Sequence, residues 1–338
     1  MMKLTKYFLL PVLLILSGVT PLYADMALLL HQPHSLFGFF NPTGHSGLYL
    51  SRVCAESPVR LRRCNEGEPG VVISRYNRVS GYDWIAIPLI PFLYAVDHPE
   101  HVPASIDHTG VLEVRDAWRR NYLQDIVPDA ENGETPKGDW IQLVGAAYDR
   151  KIYWFVIETE EADDDALIEM LNSRDNKRRF NLFFNNCADF VKDVINFYYP
   201  KSIRRNFIAD VGITTPKQIA KSFVKLSRRN PDLRFSAFMS PQVSGDLGRS
   251  TPVRGVMESV IFSKKYVIPL AIVYPWVAVG GAVAYVTEGR FNPEKHVSVE
   301  LGPHELEEYL LAFSGHYPEG LPAPVMEEPD EYADLIRN

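Results

Sequence analysis

A basic excess is missing from this chain. Lys plus Arg number 35 against 42 Asp plus Glu, a net charge of −7. Nucleic acid is therefore excluded as the main partner, because polyanion binders present a basic face. There is no glycine-rich phosphate loop and no dinucleotide fingerprint, so no nucleotide cofactor is expected. No repeat recurs at a period of 20–50 residues, which sets aside solenoids and propellers. Cysteine is scarce, three in 338 residues, and none follows the N-terminal apolar run, so a lipid-modified N-terminus of the bacterial type is not available. What is abundant is apolar surface. Hydrophobic residues make up 46% and aromatics 12%, which rules out wholesale disorder. The 25 prolines exceed the average share of about 5% and favour turns and extended segments over an all-helical bundle. The length suits two domains, or one with large insertions.

Residues 1–24 read as a secretory signal. Lys3 and Lys6 precede an apolar stretch over 8–19, and Leu22-Tyr-Ala24 offers a cleavage site before Asp25. The competing reading is an uncleaved membrane anchor. Either way the remainder is expected outside the cytoplasm, in the periplasm or cell envelope, where thiols tend to oxidise. Cys54 and Cys64 are close enough for a local disulfide across a hairpin. The odd count leaves Cys187 over, either as a small buried hydrophobe or as a thiol kept free because it reacts.

Strands are expected over 45–53, 59–64, 70–76, 140–148 and 151–159, from β-favouring residues and turn punctuation. Residues 84–96 are almost wholly apolar with Pro88 and Pro91 inside, and read as a buried extended or looped segment rather than a helix. Residues 129–139 form a polar loop. A short helix follows the acidic run at 160–165, whose charge suits a first turn. A second helix starts near Cys187 and stops at Pro200. A third is announced by Thr215-Pro216 and runs to about Arg228. Residues 229–255 read as a connection. The remainder, to 338, holds one apolar segment and an acidic, proline-rich tail.

The stretch Asn181-Leu-Phe-Phe-Asn-Asn-Cys-Ala-Asp-Phe-Val191 is the most informative. Asn185-Asn186 supplies an N-cap, and 190, 191, 194, 195 and 198 form one apolar helix face. Cys187 then sits in the first turn, where unpaired N–H groups and the positive dipole end stabilise a thiolate or an oxyanion. Such a thiol needs a histidine to take its proton. His45 opens the alternating strand Gly44-His-Ser-Gly-Leu-Tyr-Leu50.

These two motifs, in this order, resemble the papain-like NlpC-type hydrolases. They are most similar to the circularly permuted branch, in which the histidine strand precedes the cysteine helix; lecithin-retinol acyltransferase-like proteins belong there. The resemblance covers roughly residues 28–200. It implies an α+β fold, with an antiparallel sheet packed on a helix that carries Cys187 at its N-terminus. It also implies Cys187 as nucleophile and His45 as base. The third, orienting residue is implied on the strand after the histidine strand, near 62–68, where Glu66 is preferred to Glu68. Both could equally be solvated turn residues, and Cys64 and Arg62–Arg63 crowd the place.

The chain thus divides into a signal at 1–24, a permuted papain-type domain at 25–230 and a C-terminal extension at 231–338. The histidines at 98, 101 and 108, and at 31 and 34, lack the spacing of common zinc motifs, and no metal is expected. Residues 266–286 carry no charge and are long enough to cross a bilayer. Pro269, Pro275 and Gly280-Gly281 interrupt a helix there, so a buried or membrane-surface segment is the favoured reading. The expected activity is that of an exported thiol hydrolase or acyltransferase, acting through a thioester on cell-wall peptide amides or lipid acyl groups. The competing class is a non-catalytic envelope protein that keeps the fold for binding.

Overall fold

Met26, Leu28 and Leu30 are fully buried toward one side of a strand, and Ala27 and Leu29 toward the other. A strand covered on both faces reads as a continuous apolar run and belongs inside a sheet. The computed structural model places it there. It describes residues 23–34, 42–77 and 79–313.

In chain order the elements are β1 (Tyr23–His31), β2 (His45–Leu50), β3 (Val53–Ser57), β4 (Arg60–Arg63), β5 (Val71–Ser74) and β6 (Ile85–Pro88), then α1 (Leu89–Tyr94), α2 (His108–Tyr122) and α3 (Ala146–Asp149). After these come β7 (Ile152–Glu160), α4 (Glu161–Ser173), α5 (Cys187–Tyr198), α6 (Pro216–Arg229), β8 (Ser236–Ser240), α7 (Val256–Ile261), α8 (Lys264–Val273), α9 (Pro275–Ala284) and α10 (Pro303–Phe313). Six strands form one sheet in the order β6-β5-β2-β1-β7-β8, and every pair is antiparallel. β3 and β4 make a separate hairpin, closed by the Cys54–Cys64 disulfide. The fold is α+β, and a disulfide fits an oxidising compartment.

The sheet separates two cores. One face, with Tyr49, Val72, Trp154 and Phe238, is covered by α1, α2 and the 140–148 region. The other, with Leu48, Leu50, Ile73 and Phe155, is covered by α4, α5 and α6. The two helices whose N-caps the sequence announces begin where they were expected. Thr215 accepts from the Gln218 N–H ahead of Pro216, and Asn186 caps α5.

Several segments differ from their expected form. Residues 84–96 contain β6 and then a helix, not extended or looped chain throughout. Pro91 falls in the first turn of α1, where an N–H has no intrahelical acceptor, so the proline removes nothing. Residues 140–148 are not a strand but a 3-10 turn followed by α3. Gly145 lies between them at φ +71, and a Cβ there would approach the Tyr148 ring at 2.9 Å. The connection at 229–255 contains β8, which pairs with β7. The sheet therefore continues past residue 230, where the papain-type unit was expected to end. The expected signal lies outside the described residues except for Tyr23 and Ala24. These already pair with Glu160 and Thr159 in β1. The acidic tail after 313 also lies outside them.

At the end of the sheet away from His45, carboxyls are buried. Asp25 is opposite Glu158, and burial, Glu158 and Asp164 bring its pKa up to about 7 against Arg52. Burial likewise raises Asp164 to about 6, opposed by the Tyr198 hydroxyl, which donates to it at 2.6 Å, and by Arg63. A carboxyl held above its unfolded value makes stability greatest below about pH 4, and that stability is lost as pH rises through the folded values. Asp164→Asn keeps an acceptor for Tyr198 and removes the buried charge. It is expected to stabilise the protein by about 2 kcal/mol at pH 8 and by little at pH 4. Urea melts at the two pH values check this; equal effects at both would contradict it.

Candidate active site

Cys187 is the first residue of α5, and its turn is held from several sides. Asn186 accepts from the Asp189 N–H at 2.9 Å, and Asp189 accepts from the Asn186 N–H at 3.3 Å, a reciprocal capping box. The Asn186 amide donates to the carbonyls of Leu182 and Thr214. The Thr214 hydroxyl and Arg205 fix the Asp189 carboxylate at 2.6 and 2.8 Å. A carboxylate so supplied with donors stays ionised, and despite its burial its pKa lies below the usual range.

The thiol itself is buried, with 8% of the residue exposed. Burial pushes its pKa up, so desolvation outweighs the thiolate stabilisation expected from the helix start. Acting the other way are the Ser46 N–H and hydroxyl, the Ala188 N–H and the Arg75 charge. The buried Ser46 hydroxyl has no other hydrogen-bond partner.

His45 opens β2 directly after Gly44. That glycine has φ +72, and a Cβ on it would stand 2.2 Å from the His31 carbonyl oxygen, so only glycine fits. The His45 ring lies 2.8 Å from Ser74 Oγ through Nε2. Ser74 in turn donates to the Ser46 carbonyl at 2.8 Å. With that hydroxyl proton committed, the network assigns the imidazole proton to Nε2 and leaves Nδ1 as the basic nitrogen. Tyr76 stacks on the ring at 4.9 Å and His31 meets it edge-on at 5.4 Å. The β2–β5 register pairs Leu48 with Ile73. Continued three residues, it sets Tyr76 opposite His45.

Strand alternation places His45 on the face of Tyr49, whereas Ser46 faces the side that carries α5. Among the described residues no hydrogen bond joins Cys187 to His45. What connects their surroundings is Tyr76 and Arg150. Tyr76 stacks on His45, and burial first, then a charged Cys187, raise its pKa. Arg150 is buried, responds to the Cys187 charge, and helps to depress His45. Burial first, then Arg150 and His34, lower the His45 pKa to about 3. His31 has neither ring nitrogen paired, and burial followed by Arg150 also holds it well below the ordinary histidine value. At neutral pH the cluster therefore holds neutral imidazoles, a neutral thiol and a buried guanidinium.

Arg150→Gln is expected to move the titration of His34 upward from about 4 and that of His45 upward from about 3, because a cation at short range disfavours imidazolium. Imidazole NMR titration reads this directly. Unchanged midpoints would contradict the assignment of Arg150 as the controlling charge.

Glu66 is not brought to His45. It stands exposed in the turn after β4, while Glu68 is engaged by Arg62 at 2.6 Å. The reason is topological: β3 and β4 form their own hairpin, and the neighbours of β2 in the sheet are β1 and β5. The group on the histidine ring is Ser74, which the sequence reading missed. Positions 72, 74 and 76 of the expected strand at 70–76 share one face, and this was the available signal. Also missed was Arg75. It is buried, paired with Asp83 at 2.8 Å, donates to the Asn186 carbonyl at 3.1 Å, and lies over the Phe190 ring. Among the described residues, three potential metal ligands converge only at Cys54, Cys64 and Glu68, and there both sulfurs are in the disulfide. The histidines at 98, 101 and 108 do not converge in that way.

No family model matches the chain, and no curated protein does. Among solved structures, the type VI secretion system effector TseH matches at 15% identity and a TM-score of 0.28, over 64% of this chain and 92% of that one.

Proposed function

We propose that this protein is a thiol hydrolase or acyltransferase of the cell envelope, with Cys187 as nucleophile and His45 as base. The observation that supports the reading is the adjacency of what holds the two: Arg75 donates to the carbonyl of Asn186, the residue before Cys187, and the next residue, Tyr76, stacks on His45. In the proposed reaction His45 Nδ1 takes the Cys187 proton and the sulfur attacks an amide or ester carbonyl. The N–H groups at the start of α5 receive the oxyanion. The imidazolium then protonates the departing amine or alcohol, and water or another acceptor resolves the thioester. Ser74 orients the ring from Nε2 in the place where an acidic residue was expected. Catalytic hydrogen bonds are often long until substrate binds; because His45 lies on the Tyr49 face and α5 on the other, the proton transfer requires a rearrangement at the start of β2.

The burial of both groups, with the thiol pKa raised and the imidazole pKa lowered, favours a second reading: a binding or scaffold protein in which Cys187 is only a small core residue. Cell-wall muropeptides and acyl esters offered to the purified chain separate the two. Turnover of either, dependent on Cys187, supports the enzyme and names its substrate class. Binding without turnover supports the scaffold.

A further inference from the structure

The segment from α7 to α9 has the wrong surface for water. Between Lys265 and Glu288 no residue is charged, and beyond Lys264 and Lys265 at its start α8, like all of α9, is apolar around its circumference. Yet no residue of 264–280 is buried, and 271–277 are all exposed, with Ile272 at 75% and Trp276 at 85%. A helix apolar on every side normally lies in a core or in lipid. A docked protein would cover one side of this projection and leave the other wet.

We infer that α8 and α9 form a membrane-inserting element that enters one leaflet of a lipid bilayer. Ten residues make a helix of about 15 Å, half of the roughly 30 Å hydrocarbon core. Among the described residues no helix is long and apolar enough to cross a membrane. The chain instead turns at Tyr274-Pro275, and α9 packs on both α7 and α8. Gly281, buried at that contact, faces the Met257 side chain of α7.

The turn meets in part the demand that hydrocarbon makes of a backbone, that its polar groups be satisfied internally. The Tyr274 N–H donates to Leu270, the N–H groups of Val277 and Ala278 both reach the Tyr274 carbonyl, and Pro275 has no N–H. Nearer the body are the groups that suit the headgroup region, Tyr266 beneath the Lys265 ammonium and Phe262 beside the Arg254 guanidinium. Aromatic rings and cations at that level anchor a protein at a lipid surface, and Lys264 and Lys265 are complementary to anionic headgroups.

The test is partitioning of the full chain onto vesicles of phosphatidylcholine, with and without phosphatidylglycerol, and onto vesicles with brominated acyl chains. Residues 8–19 are also apolar, so the readout is the difference between variants of the same chain. Ile272→Asp with Trp276→Asp is expected to lower partitioning about tenfold or more, since charge is costly in hydrocarbon. Because both side chains are exposed, the melting temperature should stay unchanged. Bromine quenching should be larger in the wild type than in Trp276→Phe. Equal quenching in those two, or partitioning unaffected by the aspartates, would overturn the inference. So would a lipid-independent dimer abolished by the aspartates, which would make a second copy the occupant.

Discussion

Cys187→Ala is expected to reduce turnover of the responsive substrate by at least about 10³-fold, to the uncatalysed background. The loss should come without unfolding. Alanine is the best helix former, the capping box of Asn186 and Asp189 does not involve the sulfur, and the volume removed is small, so stability should change by about 1 kcal/mol or less. His45→Ala should be almost as damaging, and the double variant no worse than either, since nucleophile and base act as one unit. Ser74→Ala should cost less, because Ser74 touches only the far nitrogen of the ring, and Glu66→Gln should cost nothing. Steady-state kinetics on the purified variants check the order. A Cys187→Ala variant that turns over substrate at the wild-type rate would remove the sulfur from the mechanism.

Arg75→Met is expected to be the most damaging change away from the nucleophile and base. It leaves Asp83 without its two-pronged partner and the Asn186 carbonyl with only the Phe190 N–H, both at partly or fully buried positions. Breaking a buried pair from one side costs about 3–5 kcal/mol. Asp83 retains some access to water, which sets the expectation near the lower value, about 3 kcal/mol by urea unfolding. The same change withdraws a positive charge that favours the Cys187 thiolate, so alkylation of Cys187 at neutral pH should slow as well. Arg75→Lys keeps the charge and loses the fork, and should restore reactivity more than stability. Adding Asp83→Asn to Arg75→Met should recover part of the stability, because the orphaned charge is then gone. If Arg75→Met melts like the wild type, the pair does not hold the start of α5 in place.

What was legible in the sequence was whatever depends on local chemistry. Asn186 announces α5, Thr215-Pro216 announces α6, and the alternation from His45 announces β2; each feature acts within a few residues of itself. The nearness of Cys54 and Cys64 foretold the disulfide. The failures are non-local or masked. Helix α2 escaped because its buried face is Val111, Arg115, Trp118 and Arg119. The helical period is present, but two of its core positions are arginines, held by the carbonyls of Val144, Gly145 and Val127. Residues 143–148 are apolar without interruption, and such a run cannot distinguish strand from helix. Strand β8 is five residues in a stretch of proline, serine and glycine, and only its pairing with β7 makes it a strand. The residue at the histidine ring was sought on the next strand in sequence, whereas β5 is the next in space. Burial was the other hidden quantity. A helix start favours a thiolate, but the covering of Cys187 by protein opposes it more strongly.

The most direct test of the central claim is intact-mass spectrometry of the chain during reaction with an acyl ester or muropeptide, quenched in acid at short times. A transient adduct of the acyl group on Cys187 is expected. Peptide mapping should locate it there, and it should decay as product forms. It should accumulate only slowly in His45→Ala and not at all in Cys187→Ala. Product formation with no adduct on Cys187 at any time, or an adduct that persists unchanged in Cys187→Ala, would contradict Cys187 as nucleophile.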